Sequence, residues 1–233
     1  MKTIYIVISL ITIFLSWDRG RSQIEKVQPA APRVKILAPD EKRSYTWNEQ
    51  VRYSISISDP KDGESKYGEI PSQECLLTLE YLPVNKDEEI KKAIEKKEEK
   101  GLSLVKKSTC FGCHAQTTRV AGPSFQEIAA RYETNEATIN NLSDHILNGS
   151  IGVWGNQQMP AHPDFTDEQC RQIAEYILEI DNYPYRWVYP GLEGVFRIID
   201  KPAIDRDGVY VLTASYTSTS GAEGRHSIVL KIR

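Results

Sequence analysis

Two cysteines separated by two residues, with a histidine directly after the second, form the most chemically specific pattern in this sequence: Cys110-Phe111-Gly112-Cys113-His114. Two thiols at that spacing can reach both vinyl groups of a haem and become thioethers, while the adjacent imidazole can take an axial position on the iron. A zinc knuckle would want two further Cys or His ligands in a compact second pair, and none follows. A dithiol redox site would sit in a βαβ context, whereas the residues around this motif have helical spacing. Covalent attachment of one haem c is therefore the expectation, with His114 as the proximal ligand.

A second axial ligand should lie downstream, on a loop able to fold over the other haem face. Met159 stands in Gly152-Val153-Trp154-Gly155-Asn156-Gln157-Gln158-Met159-Pro160, a polar and glycine-bounded stretch with no apolar stripe for a methionine to fill. His162 is the competing ligand, and bis-histidine ligation would lower the potential relative to His/Met. Two axial protein ligands leave no open coordination position. That argues for an electron carrier without catalytic residues and against a peroxidase or oxygenase.

The elements that must position these residues are helical. From Asp87 the composition changes to a Lys/Glu run through Lys100, read as a solvated helix face that Gly101 interrupts. Phe125, Ile128, Ala129 and Tyr132 make one apolar stripe, Ile139, Leu142 and Ile146 a second, and Cys170, Ile173, Ala174 and Ile177 a third. Thr166 with Gln169 forms a capping box ahead of the third. Three or four short helices account for residues 101–182.

On either side the period is two. Val34–Leu37, residues 51–58 with Val51, Tyr53, Ile55 and Ile57 on one face, and Cys75–Leu82 read as strands before the helical stretch; Val195–Ile199, Val209–Tyr216 and Ser227–Ile232 read as strands after it. Either half alone would leave long unpaired edges. The fold class expected is α+β multidomain, an all-α domain (101–182) inserted in a β-sandwich. The sandwich halves are 33–86 and 183–233, and the charged segment 87–100 connects the first of them to the helices.

The chain starts Met-Lys, runs apolar from Ile4 to Leu15 and then turns polar through Gln23. Residues 1–22 read as a signal peptide, too short in their apolar run to span a bilayer; a retained anchor with Trp17 at the interface is the alternative. Residues 23–32, with two prolines and small side chains, have linker composition. Removing Lys2, Asp18, Arg19 and Arg21 takes away a net +2, so the formal charge of −3 becomes −5. A chain this acidic lacks the basic footprint of nucleic-acid binding. Cys75 and Cys170 lie on apolar faces as buried free thiols, with a Cys75–Cys170 disulfide the alternative. Asp59 and Asp62 read as turn formers, with calcium binding the alternative.

Residues 101–181 resemble the small bacterial class I monohaem cytochromes c. Besides the attachment motif, the match takes in Gly122-Pro123, the helix Ser124 to Tyr132, Asn148-Gly149-Ser150, Gly152-Val153-Trp154-Gly155, Met159-Pro160 and the helix Asp167 to Ile180. The resemblance implies His114 and Met159 as axial ligands and Pro123 as the residue whose carbonyl accepts a hydrogen bond from the His114 imidazole. It also implies Trp154 beside the haem with its indole N–H near a propionate. His145 stands where these cytochromes can carry an arginine near a propionate. The Ala161-His162-Pro163 sequence departs from the pattern and keeps His162 in question.

The β portions resemble immunoglobulin-like PKD-type modules that accompany cytochrome segments in some exported bacterial proteins, including ones associated with sugar dehydrogenases. Ser58-Asp59-Pro60 with Asp62-Gly63 and the stretch Gly208–Tyr216 carry that likeness. Together these resemblances imply an exported or periplasmic electron carrier, without a transmembrane span in the mature chain. Residues 101–181 hold five Lys/Arg against ten Asp/Glu, so its redox partner should present a basic docking face. The alternative function is a carbohydrate- or surface-binding module with a subsidiary haem.

Overall fold

A computed structural model describes residues 30–233; the signal-peptide reading and residues 23–29 of the linker lie outside the described residues. Among the described residues no helix is long and apolar enough to cross a membrane.

Alternating sequence produces the strands. β1 (Arg33–Ala38) and β3 (Gln50–Asp59) bury every second side chain, so Val34, Ile36, Val51, Tyr53, Ile55 and Ile57 share one face. They pair antiparallel, with Val34 opposite Ile57 and Ile36 opposite Ile55. Between them in sequence lies the short β2 (Ser44–Tyr45), and β4 (Gly63–Glu64) follows β3. After β5 (Leu76–Leu82) the chain leaves for the helical stretch. It returns as β6 (Arg186–Pro190), β7 (Glu193–Arg197), β8 (Val209–Thr217) and β9 (Glu223–Ile232). β1, β3, β4 and β7 form a four-stranded sheet, and a five-stranded sheet has the order β2-β9-β8-β5-β6. Their inner faces share one core, in which Ile55, Ile57 and Phe196 meet Leu77, Leu79, Tyr81, Tyr210, Leu212 and Leu230.

β5 pairs directly with β6 and with β8, although more than a hundred residues separate it from either in sequence. Strands from both ends of the chain thus complete the same sheet, with the helices lying between them in sequence. β6 has no alternating signature, because Pro184 and Pro190 bracket a run of Trp and Tyr, and the sequence gives no reason to place a strand there.

The helices are α1 (Asp87–Glu95), α2 (Lys100–Lys107), α3 (Cys110–Cys113), α4 (Phe125–Arg131), α5 (Glu136–Asn148) and α6 (Asp167–Leu178). Capping boxes start two of them: Ser124 with Glu127 at α4, and Thr166 with Gln169 at α6. Asn135 caps α5 by accepting from the Thr138 N–H at 2.9 Å. Their apolar stripes converge on one core of Val105, Phe125, Ile128, Ile139, Leu142, Ile146, Cys170, Ile173 and Ile177.

Gly101 does not interrupt a helix, as its residue type suggests. It sits inside α2, where a Cβ would collide with the Gln172 carbonyl oxygen of α6. The glycine is there to let two backbones approach.

The helical layer covers the outer face of the five-stranded sheet. Leu76 and Val188 of the sheet pack on Leu102 of α2, with Phe111 and Tyr176 alongside; each buried aliphatic contributes about 1.5–3 kcal/mol relative to exposure. This explains why β8 is buried at eight consecutive positions: it is a central strand with a sheet on one side and helices on the other. The molecule is a three-layer stack of sheet, sheet and helices.

Ionic contacts fix the seam. Arg186 of β6 makes a two-pronged pair with Glu99, and Lys106 pairs with Glu98 at 2.9 Å with side chains only 1% and 9% exposed. Cys75 and Cys170 are free and buried, and they belong to different cores, Cys75 to the sheets and Cys170 to the helices. Asp59 accepts from the Lys61 and Asp62 amides at 2.8 and 2.9 Å as a turn former, while Asp62 accepts from Tyr216 Oη at 2.8 Å and the Thr219 amide at 2.7 Å. Asp62 thus ties the β3–β4 turn to the end of β8 and the β8–β9 turn.

Candidate functional site

The motif residues lie on a single helical turn. α3 spans Cys110 to Cys113, so its two thiols, three residues apart, lie on the same side of the turn. The chain leaves the helix at His114, whose amide closes the turn on the Cys110 carbonyl at 2.8 Å. Ser108 anchors the approach, its hydroxyl donating to the Val105 carbonyl at 2.8 Å and lying 2.9 Å from Cys110 Sγ. Cys110 is buried and Cys113 exposed. Burial pushes the Cys110 thiol above its ordinary value, with the Ser108 hydrogen bond opposing.

His114 is 9% exposed, and its Nδ1 lies 2.6 Å from the Pro123 carbonyl oxygen. A carbonyl can only accept, so Nδ1 carries the proton and Nε2 keeps its lone pair for another partner. Burial pulls the imidazolium down from the ordinary histidine value, although the Pro123 carbonyl opposes it, so the neutral ring is favoured. Phe125 stacks on the ring at 5.5 Å between centroids and 12° between planes. Gly122 completes the seat, since a Cβ there would lie 2.5 Å from His114 Cε1.

The distal loop is held by its own turns. Ser150 and Met159 exchange backbone hydrogen bonds of 3.1 and 2.8 Å, and the Gly152 amide donates to the Gly155 carbonyl at 3.1 Å. Gly149 has φ +79°, and a Cβ on it would approach the Met159 carbonyl oxygen to 2.7 Å. Met159 is half-buried and packs on the helical core. His162 follows with its amide donating to the Ile146 carbonyl at 3.0 Å and its ring stacked on Phe165 at 5.9 Å.

These parts surround one open-mouthed cavity with about 1110 Å³ of atom-free space, its mouth included. Cys110, Cys113, His114, Pro123, Trp154 and Met159 all line it, and so do His145 and His162. Most of the remaining lining is apolar, from Ile128, Leu142, Ile146, Ile151, Val153 and Ile177, and no Asp or Glu belongs to it. A haem c fits this set of donors. Two thiols sit on one wall, a neutral imidazole with a free Nε2 stands beside them, a thioether sulfur comes from another wall, and apolar side chains suit a flat apolar ring.

Three features had no signal in the sequence. Arg131 lies 4.4 Å from the Trp154 ring centroid and Arg119 5.7 Å from it, with Tyr132 edge-on at 6.4 Å, so two guanidinium groups stand against the indole. Arg131 also donates to the Val153 carbonyl at 3.0 Å. Gln116, two residues beyond His114, clasps the edge strand β6: its Nε2 donates to the Arg186 carbonyl at 2.8 Å and its Oε1 accepts from the Val188 amide at 2.6 Å. Glycine in Gly122-Pro123 was the one readable hint at the seat beneath His114.

Comparison with known proteins bears on the same stretch. The family model described as cytochrome c matches residues 98–181. A cytochrome c-551 of Stutzerimonas stutzeri is 39% identical over 80 residues, covering 34% of this chain and 76% of its own. A cytochrome c-552 of Nitrosomonas europaea is 36% identical over 77 residues, covering 33% of this chain and 75% of its own. A crystal structure of the wild-type Nitrosomonas europaea cytochrome c552 is 36% identical, with a TM-score of 0.32, and covers 33% of this chain and 95% of that one.

Proposed function

Because this chain belongs to the cytochrome c family through residues 98–181, we propose that it is an exported monohaem electron carrier passing single electrons between periplasmic or cell-surface redox partners. The family carries covalently attached haem c, which when bound supplies reversible one-electron iron chemistry. The convergence of Cys110, Cys113, His114 and Met159 on one largely apolar cavity is the observation that carries this reading.

In this reading Cys110 and Cys113 provide the thioether tethers. His114 offers Nε2 as the proximal ligand, and Pro123, through its carbonyl, fixes the tautomer and the ring plane. Met159 would be the distal ligand. His162 is the alternative from the same wall of the cavity, and its stacking on Phe165 favours a supporting role. Trp154 lines the cavity with Arg119 and Arg131 beside its ring, and these three would meet the haem's propionates. Ile128, Leu142 and Ile146 keep water off the ligands. An iron held by His114 and Met159 would have no protein-free coordination position left, which suits electron transfer rather than substrate activation.

The flanking strands form, in this proposal, an immunoglobulin-like PKD-type sandwich into which the haem unit is inserted, with the sandwich from 33–86 and 183–233, the charged connecting segment from 87–100 and the haem unit from 101–182. The redox partner has a basic docking face, drawn by the excess of carboxylates on α5 and α6 that includes Glu136, Asp144, Asp167 and Glu175. At the crevice itself contact is with Ile151, which is 67% exposed, and with Gln157 and Gln158. The partner is a dehydrogenase or another exported redox protein.

A pyridine haemochrome assay on the exported protein tests the reading: one covalently held haem per chain is expected. A protein exported without covalent haem, whose Cys110 and Cys113 cycle between dithiol and disulfide, would replace it with a dithiol oxidoreductase.

A further inference from the structure

The outer face of the four-stranded sheet is unlike the rest of this acidic chain. Its outward side chains include Arg33 and Lys35 from β1, Arg52 from β3 and Arg197 from β7, all exposed, against the carboxylates of Glu193 from β7 and Glu64 from β4. Among the described residues none of these four cations takes part in an ion pair. Arg197 donates only to the Asn48 amide oxygen at 2.9 Å. Glu64, at the corner where β4 meets β3, is already neutralised by Lys66 at 2.7 Å. Between the cations run the small side chains of Ser54, Ser56 and Ser58. Leu37 and Val195 flank β3 from its two neighbours, and they are 58% and 49% exposed. The pairing sets Lys35 opposite Ser56, Arg33 opposite Ser58 and Arg52 opposite Val195, so basic and aliphatic groups alternate over one surface.

We propose that this face docks on a lipid bilayer surface rich in anionic headgroups. Four unpaired cations and one unpaired carboxylate suit a surface of negative charge, and aliphatic side chains between the cations can enter the headgroup boundary. A protein partner would gain from anchors such as exposed aromatics, and the outward strand residues of this face include none. The three-layer order gives the docking a consequence. The helical layer, with the cavity, lies on the opposite side of the sandwich from the basic face, so a bilayer on that face leaves the redox site open to soluble partners.

Vesicle pelleting with the exported holoprotein tests this independently of haem ligation. Binding is expected to phosphatidylcholine vesicles containing about one-third phosphatidylglycerol and not to pure phosphatidylcholine, and to fall as salt screens the exposed charges. Each neutralised cation should weaken it about 5-fold, so the double variant Lys35→Gln, Arg52→Gln should lose about 25-fold with unchanged circular dichroism. Vesicle-bound protein should still be oxidised by ferricyanide at the rate of free protein. Equal binding to neutral and anionic vesicles, or full binding by the double variant, overturns the proposal. So does retention on soluble polygalacturonate or on an acidic protein without vesicle binding, or self-association at low salt. A bound haem closed to ferricyanide overturns the orientation.

Discussion

The Nδ1 atom of His114 lies 2.6 Å from the Pro123 carbonyl oxygen, and the residue before that proline, Gly122, has no side chain to push the ring away. Hydrogen bond and glycine act together: one fixes the tautomer, the other leaves room for the ring plane that the tautomer requires. Gly122→Ala should therefore move the imidazole. Overpacking of this kind costs about 1–3 kcal/mol, and the holoprotein should show both a lower denaturation midpoint and a weakened axial-ligand spectrum. A variant with wild-type midpoint and spectrum would mean that the ring is not seated by Gly122.

Met159 and His162 are three residues apart and line the same cavity, but they are held differently. Met159 is gripped by a two-way backbone bridge to Ser150, whereas the His162 ring stacks on Phe165. Met159→Ala should abolish the iron–thioether charge-transfer band, and His162→Ala should leave it intact. The reverse pattern, or no such band in the wild type, would hand the distal position to His162.

How far the sequence foretold this site depended on whether a residue acts locally. The motif, the three apolar stripes and the Thr166 capping box are short-range patterns, and each was readable because its partners lie within a few positions. Gly101 was misread as a break, since its reason for being glycine is the Gln172 carbonyl on another helix. Gln116 carried no signal, because the groups it bonds belong to a strand about seventy residues away. That strand, β6, escaped notice in turn: it lies at the sheet edge between two prolines, where side-chain alternation is weak. β8 read simply as a strand, and the helical layer on its second face is what buries it at eight consecutive positions.

Glu99 makes the seam sensitive to acid. Burial pushes its carboxyl up, but the Arg186 hydrogen bonds and charge, helped by Lys96, outweigh this and hold it below the ordinary glutamate value. A folded value below the unfolded one adds stability that is complete above about pH 4.5 and is lost as pH falls through the folded value. Urea midpoints measured against pH should accordingly drop less steeply on the acid side for Glu99→Gln than for the wild type, with Glu99→Gln the less stable at neutral pH. Parallel curves would show that the pair contributes no pH-dependent stability.

The Glu98–Lys106 pair should be the most costly contact of the seam to break. Lys106 Nζ lies 2.9 Å from Glu98 Oε1 and 3.4 Å from Thr217 Oγ1 of β8, and Glu98 also accepts from Ser103 Oγ at 2.6 Å and Ser215 Oγ at 2.9 Å. Helix, connecting segment and sheet thus meet on two charges that water barely reaches. Lys106→Met removes the cation and leaves a carboxylate buried among hydroxyls, which should cost about 3–5 kcal/mol. Adding Glu98→Gln removes the orphaned charge and keeps a group able to bond Ser103 and Ser215, so the double variant should regain most of that loss. Denaturant unfolding of the four proteins in this cycle gives the coupling directly. A loss below 1 kcal/mol in Lys106→Met, or strict additivity in the double variant, would mean that the layers are held by Leu76, Leu102 and Val188 alone and that the ion pair sets only which way the helices face.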